Sequence, residues 1–544
     1  MGMQLHLAGE SLAKWMAWDL MRGIDMLLER PYIDPARIVM LGGVAGGGDP
    51  AALTAALDER IAVVIPFNFG EASPEAHYSQ GPRLYGPEFA DPGWGSWDTT
   101  RNLARSISGQ FFPWFICASV APRRFVYAFE IRWPHGVENE PAWARYSKVF
   151  SLCAAREHLA EVDGYGAFPG PGEFTSVGVN ARKKIYPILH RWLQAAIPAH
   201  EYHNVRLYAE LAALTPAVAV ARQPQTASKI ALKTAERRLT AARAKLAALG
   251  PKDRFLELRR TLQARLGDIE PRRDAAARLV WSREVEGHLV EAVGLETEHG
   301  IHIPLLLLKP SAAPDRLPVV IALAQGGKEG FLRHRRAEIE TLLKAATAVC
   351  LVDVRGVGET AWTQDRGPRS MSLAATEFML GRTLLGARLK DARAVYRYLA
   401  GREDIDATRI ATWGDSFAAT NVRRMLLNQS ASQQPGSRPI HQAEPLGALR
   451  AMLTAFYEDG VKAVAARRGL VSYLSVLSDR FTYVPQDVIV PGILKAIDIS
   501  DVRASLAPRP VLVEESVDGR NCAVDEEKLA SEGAATWLAR QLLQ

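Results

Sequence analysis

Runs of consecutive apolar residues and stretches of 3.6-residue periodicity alternate along this chain. "HLVEAVGLETEHGIHIPLLLLKP" (288–310) alternates as an antiparallel hairpin that turns at His299-Gly300. "LPVVIALAQGG" (317–327) opens as a strand buried on both faces, and "RRAEIETLLKAAT" follows with helical spacing. A strand and turn (348–360, "AVCLVDVRGVGET"), the helix "GARLKDARAVYRYLAG" and the strand "TRIATW" complete the run. Strand–helix alternation of this kind predicts a doubly wound, mostly parallel sheet, and so an α/β fold. Near the start, Leu12, Trp15, Met16, Leu20 and Ile24 share one helical face. That helix leads into "ARIVML" (36–41), a Gly-rich turn and a second helix, "PAALTAALDERI". Further strands are predicted near 61–66, 124–130 and 159–163.

Two passages repeat in order. "YIDPARIVMLGGVAGG" (32–47) is echoed by "DIDATRIATWGDSFAA" (404–419), and "ASVAPRRFVYAFE" (118–130) by "ASLAPRPVLVEES" (504–516). The offsets, 372 and 386 residues, are nearly equal, which argues for two copies of one fold. The predicted division is a partial lobe at 1–200, a helical basic connector at 201–280 and a second lobe at 281–544. The first copy lacks the strands that precede its counterpart's penultimate helix. Half a sheet leaves an open edge. Either the sequence is a fragment of a longer product, the favoured reading, or the half sheet is completed by packing on the other lobe. In a fragment, any export signal would lie upstream.

Composition adds limits. A chain of 544 residues is too long for one core, and 48% hydrophobic with 23% charged residues is ordinary for a globular protein. The net charge of +6 concentrates in 225–275, where Leu and Ala recur at helical spacing broken at Gly250-Pro251. Two helices with a solvated basic face account for it; a patch for an anionic polymer is the alternative. No nucleic-acid motif accompanies these charges, so no nucleic-acid partner is expected. The four Cys form no C-x-x-C pair, so neither a metal nor a redox site is expected, and nothing calls for a cofactor. No apolar run is long enough to span a membrane.

The candidate chemistry lies in the turns. In "GGVAGGGDP" (42–50), Gly43-Val44-Ala45-Gly46-Gly47 fits the G-x-S-x-G strand-to-helix turn with Ala45 at the Ser position. Ala has no hydroxyl. The second copy supplies one in Gly414-Asp415-Ser416-Phe417-Ala418, before a stretch compatible with helix. Ser416 is the candidate nucleophile, with the Phe417 N–H and a donor near Gln325-Gly326-Gly327, taken as Gly326, as the oxyanion hole; a helix N-cap is the plainer role for Ser416. Asp518, in Val-Asp-Gly-Arg after the next major strand, is the candidate acid, with Glu514 and Glu515 behind it. The start of an Asp-Gly turn is the equal alternative role for Asp518. No His follows Asp518, where a Ser-His-Asp triad needs its base, and His441 is the nearest one before it. In the first copy Glu130 is the acid candidate, and His135 and His158 are the local histidines. Trp133, Trp143 and Tyr165 would line a sugar-binding cleft or fill the core.

These stretches resemble the α/β-hydrolase superfamily, and within it bacterial acetylxylan-esterase-like and glucuronoyl-esterase-like proteins, some built as tandem lobes. The resemblance rests on "IDPARIVMLGGVAGGGDPAALTAALDERIAVVIPFN", "GQFFPWFICASVAPRRFVYAFE", "FPGPGEFTSVGVNARKKIYPILHRWL", "VCLVDVRGVGET", "RIATWGDSFA" and "SLAPRPVLVEESVDGRN". It implies Ser416 as nucleophile, Phe417 N–H as oxyanion donor, Asp518 as acid and Glu130 as the first lobe's acid. The expected activity is serine-dependent hydrolysis of carbohydrate esters. The alternative is a catalytically inactive tandem scaffold that binds polysaccharide or protein, which Ala45 and the missing histidines favour.

Overall fold

The computed structural model describes residues 2–70, 103–130, 133, 136–164, 177–201, 206–310, 315–361, 368–423, 441–524 and 532–544. The protein is α/β, with a four-stranded parallel sheet and an eight-stranded mixed sheet.

The smaller sheet runs in chain order: β1 (Val39–Gly43), β2 (Val63–Phe67), β3 (Arg124–Phe129) and β4 (Leu159–Asp163). Its strands match the four predicted segments within three residues. The larger sheet contains β5 (Ala276–Val285), β6 (His288–Glu298), β7 (Ile301–Pro310), β8 (Leu317–Ala324), β9 (Ala348–Val352), β10 (Ile405–Asp415), β11 (Val461–Arg467) and β12 (Val511–Glu514). Their order is β12-β11-β10-β8-β9-β7-β6-β5. β8 to β12 are parallel, and β5, β6 and β7 add an antiparallel margin. The β6–β7 hairpin turns at His299-Gly300 as expected, while β5, mostly exposed, was not foreseen.

Alternation along the parallel strands assigns each side chain to a face. Val319, Ile321 and Leu323 of β8, with Cys350 of β9, enter the larger apolar cluster. Val320, Ala322 and Ala324, with Leu351 and Trp413, enter a second cluster on the opposite face. Every residue of β8 is buried, because helices cover both faces.

The larger cluster also takes in α1 (Gly2–Ala8), all seven residues of which are buried. Gln4 of α1 donates to the carbonyls of Val476 and Asp479, at 2.7 and 2.6 Å. This helix is too short for periodicity to reveal. α2 (Leu12–Leu28) follows and packs on α3 (Val44–Leu57) beside the small sheet. The two basic helices, α4 (Ala227–Ala247) and α5 (Pro251–Leu266), break at Gly250-Pro251 as expected. They do not stand free. Ala231, Ala235, Leu239, Leu258 and Leu262 join the larger cluster. Their outer arginines are engaged as well: Arg238 with Glu10, Arg243 with Asp501, Arg259 with Asp459. No described helix is long and apolar enough to cross a membrane. The four cysteines are free.

Candidate active site

In the larger sheet β9 lies on one side of β8 and β10 on the other, so the strand order reverses between β8 and β10. Connections leave these two strands in opposite directions and part above their carboxyl ends. Open α/β sheets bind ligands in the crevice formed there. β8 delivers Gln325 and Gly326 to this point, and β10 delivers Asp415, Ser416 and Phe417.

The chain does not enter a helix directly after Ser416. Residues 416–420 are irregular, and residues 424–440 lie outside the described set. The next described helix, α6 (Leu446–Tyr457), starts after Pro445. It is pressed hard against the strand. A Cβ on Gly447 would lie 2.5 Å from the Leu323 carbonyl oxygen and 2.9 Å from the Asp415 nitrogen. A Cβ on Gly414 would meet the backbone of Gly447 and Ala448. The close strand–helix approach expected of the turn is therefore made by Gly414 and Gly447, 33 residues apart in sequence.

This approach brings Glu444 over the end of β10. The Ser416 hydroxyl donates to Glu444 Oε2 at 3.4 Å, and the Phe417 N–H donates to the same oxygen at 3.2 Å. The backbone donor expected for an oxyanion thus holds a carboxylate. Ser416 is 2% exposed, and its Oγ also accepts the Ala418 N–H at 3.4 Å. No histidine ring bonds Ser416 among the described residues. Phe417 covers the crevice: its ring stacks on His334 at 5.1 Å, meets Phe331 edge-on and fills the space a Cβ on Gly330 would need. Gly326 faces this ring, since a Cβ there would lie 3.6 Å from it.

The floor is charged and internally paired. Asp415 is fully buried and ion-paired with Arg335 at 2.7 Å; burial pushes its carboxyl up and Arg335 pulls it back. Arg467 and Arg468 both clasp Glu515 after β12. Burial raises the Glu515 carboxyl, but the two guanidinium groups outweigh it and leave it below the usual range. Gln325 Nε2 donates to Asp487 at 3.0 Å, and Asp487 pairs with Arg388, both side chains nearly inaccessible (1% and 2%).

Asp518 lies beyond β12, in the loop foreseen for the acid. Its Oδ1 accepts the N–H groups of Arg520 (2.8 Å) and Cys522 (2.9 Å), which closes a tight turn. That turn is tied to the Ser416 loop. Asn521 Nδ2 donates to the Ala419 carbonyl at 2.9 Å, and Asn421 Nδ2 donates to the carbonyls of His441 and Arg520. The loops carrying Ser416, Glu444 and Asp518 are therefore one knitted unit. His441 takes part through its backbone, with its N–H on Asn421 Oδ1.

In the smaller sheet the Gly-rich turn does run straight from strand to helix, with Gly43 as the N-cap of α3. Two of its glycines are required by contact: a Cβ on Gly48 would collide with Phe67, and one on Gly42 with Gly47. The direct turn thus carries Ala45, and the Ser belongs to the interrupted one. Glu130 is buried at the end of β3 and exchanges two 2.8 Å hydrogen bonds with Asn68 after β2. Trp133 is buried between Phe129 (4.7 Å, stacked) and Tyr127 (4.6 Å), with its N–H unpartnered, a core position. Trp143 stacks more loosely on Tyr127. His158 Nδ1 meets the Pro122 carbonyl at 2.7 Å. Tyr165 and His135 lie outside the described residues.

A cleft of about 1190 Å³ opens elsewhere, at the amino ends of β10, β11 and β12, lined by Thr408, Lys462, Arg509 and the α4–α5 hairpin. It is at the wrong end of the sheet for Ser416. The crevice above Ser416 is itself filled by the Phe417 ring and the Asp415–Arg335 ion pair. Glu444, Arg335 and Asp487 were missed in the sequence. Only Glu444 carries a local signal, an acidic residue before Pro at a helix start.

No protein-family model and no curated protein sequence matches this chain. Solved structures are similar to about half of it. A protein provisionally named an acetyl xylan esterase, from Bacteroides fragilis, is 16% identical over 54% of this chain and 72% of its own, with a TM-score of 0.39. A glucuronoyl esterase from Solibacter usitatus is 13% identical over 48% and 73%, TM-score 0.33. A methylesterase is 19% identical over 54% and 53%, TM-score 0.30, so the chain spans about half the length of that relative.

Proposed function

We propose that this chain is a carboxylic-ester hydrolase reacting at Ser416, in two hydrolase-like units joined by the α4–α5 connector. The observation that carries this reading is the position of Ser416. It caps the central strand β10 at the reversal of strand order, beside the β8 loop and with its hydroxyl on a carboxylate. In the reaction, Ser416 Oγ attacks the ester carbonyl carbon, the alcohol leaves, and water hydrolyses the acyl-serine. Productive binding requires Phe417 to swing off Gly330 and its N–H to leave Glu444 for the oxyanion. Carbohydrate esters are the substrate class proposed from the sequence resemblance. A second reading, an inactive scaffold that binds polysaccharide or protein, is favoured by one observation, the burial of Ser416 at 2% exposure.

Steady-state hydrolysis of 4-nitrophenyl acetate and of acetylated xylan by the full chain, against Ser416→Ala, separates the two. Release that depends on Ser416 supports the hydrolase. Rates equal to those of the Ala variant move the assignment to the scaffold.

A further inference from the structure

Ser416 has no imidazole beside it among the described residues, yet it has an acceptor. Glu444 immediately precedes Pro445 and the first turn of α6, and the Gly414–Gly447 contact fixes that turn against β10. Its Oε2 receives both the Ser416 hydroxyl and the Phe417 N–H. We infer that Glu444 is the general base for Ser416, taking the part an imidazole plays in a Ser-His-Asp site. This rests on the hydrolase reading above.

The step balances without any further reactant. As Ser416 Oγ forms its bond to the carbonyl carbon, its proton passes to Glu444 Oε2. The tetrahedral intermediate collapses, and the protonated Glu444 returns that proton to the departing alkoxide. Water then attacks the acyl-serine, giving its proton to Glu444, and the carboxyl returns it to Ser416 Oγ as the acid departs. The 3.4 Å separation is long for a hydroxyl–carboxylate bond and has to close by roughly 0.8 Å, a tightening usual when substrate binds.

The neighbouring acids and histidines are turned to other partners. Asp415 is committed to Arg335, and Glu515 to Arg467 and Arg468. His334 is stacked on the Phe417 ring, and His441 meets the unit through its backbone. Glu444 thus presents the one carboxylate bonded to the Ser416 hydroxyl among the described residues.

The test compares fluorophosphonate labelling rates of the full chain, wild type against Glu444→Gln. Gln retains an acceptor for both hydrogen bonds but takes no proton. A base gives labelling at least about 100-fold slower in Glu444→Gln, the lower end of general-base contributions. Glu444→Ala regains rate in proportion to added formate, which a structural anchor would not do. If Glu444→Gln fails to melt like wild type, Glu444→Asp substitutes and labels faster than the Ala variant. Wild-type labelling at Ser416 with an equal rate in Glu444→Gln overturns the base and leaves the hydrolase standing. No labelling of folded wild type overturns both.

Discussion

Adding one methyl group at Gly447 tests how the site is assembled. In an open helix, Gly→Ala is favourable by up to about 1 kcal/mol. At Gly447 the new Cβ would lie 2.5 Å from the Leu323 carbonyl oxygen, against 3.4 Å for ordinary contact. The start of α6 would have to lift by about 0.9 Å. It is not free to do so. Arg450, fully buried on the same helix, donates to the Ala324 carbonyl at 2.7 Å, and Thr412 of β10 donates to the Ala451 carbonyl at 3.1 Å. The obstructing atoms are backbone of two central strands, so the clash belongs at the upper end of the 1–3 kcal/mol seen for overpacking. Net of helix propensity, Gly447→Ala should lose about 2 kcal/mol. For a domain of this size that lowers Tm by roughly 4–8 °C. Gly23 in α2 is the control, since a Cβ there meets nothing within 4 Å and Gly23→Ala should melt at or above wild type. Differential scanning calorimetry of both variants reads the outcome. A Gly447→Ala protein as stable as wild type would refute the close packing on which the Glu444 position depends.

Three further perturbations address other parts of the account. Glu10 is buried; burial raises its carboxyl, but Lys14, Trp15 and Arg238 outweigh this and hold it at about 2. A lowered folded-state value stabilises above the unfolded value, 4.5, and the benefit is lost as pH falls towards about 2. The stability gap between wild type and Glu10→Gln should therefore be greatest near neutrality, at most about 3 kcal/mol, and close below pH 4.5; a gap independent of pH contradicts the pairing. Trp133→Ala should destabilise by about 3–5 kcal/mol, the range for a deleted core aromatic, with KM unaltered. A raised KM with unchanged melting would instead place the ring in a binding cleft. Asp518→Ala should lose about 1–2 kcal/mol, because two turn N–H groups lose their acceptor, whereas Asp518→Asn keeps Oδ1 and should melt like wild type. Equal melting of all three proteins by calorimetry would show that the turn does not need this side chain.

Periodicity and alternation made most of the parallel core legible. Residues of β8, β9 and β10 read as buried strands because they are covered on both faces, and each sequence echo falls at a described strand: I-D-x-x-R-I at β1 and β10, A-P-R just before β3 and β12. Other features were not legible, α1 and Glu444 among them. α1 is seven residues long, too few for a moment to stand out, and its burial comes entirely from distant partners such as Val476 and Asp479. Glu444 reaches Ser416 across 28 residues of chain, so no local spacing joins them. The contiguous G-D-S-F-A turn suggested a helix after the Ser, but the glycine that packs on Gly414 comes from the start of α6 instead. Trp133 shows the converse limit, since an aromatic in a loop after a strand reads equally as cleft or core until its stacking partners are known.

Whether Ser416 is an activated nucleophile is the claim on which the rest depends. The direct measurement is intact mass and peptide mapping of the full chain after fluorophosphonate treatment, with Ser416→Ala as control. A single adduct on the peptide bearing Ser416, absent from the control, is the predicted result. A folded wild-type protein that carries no adduct, or carries the same adduct as the control, would contradict it.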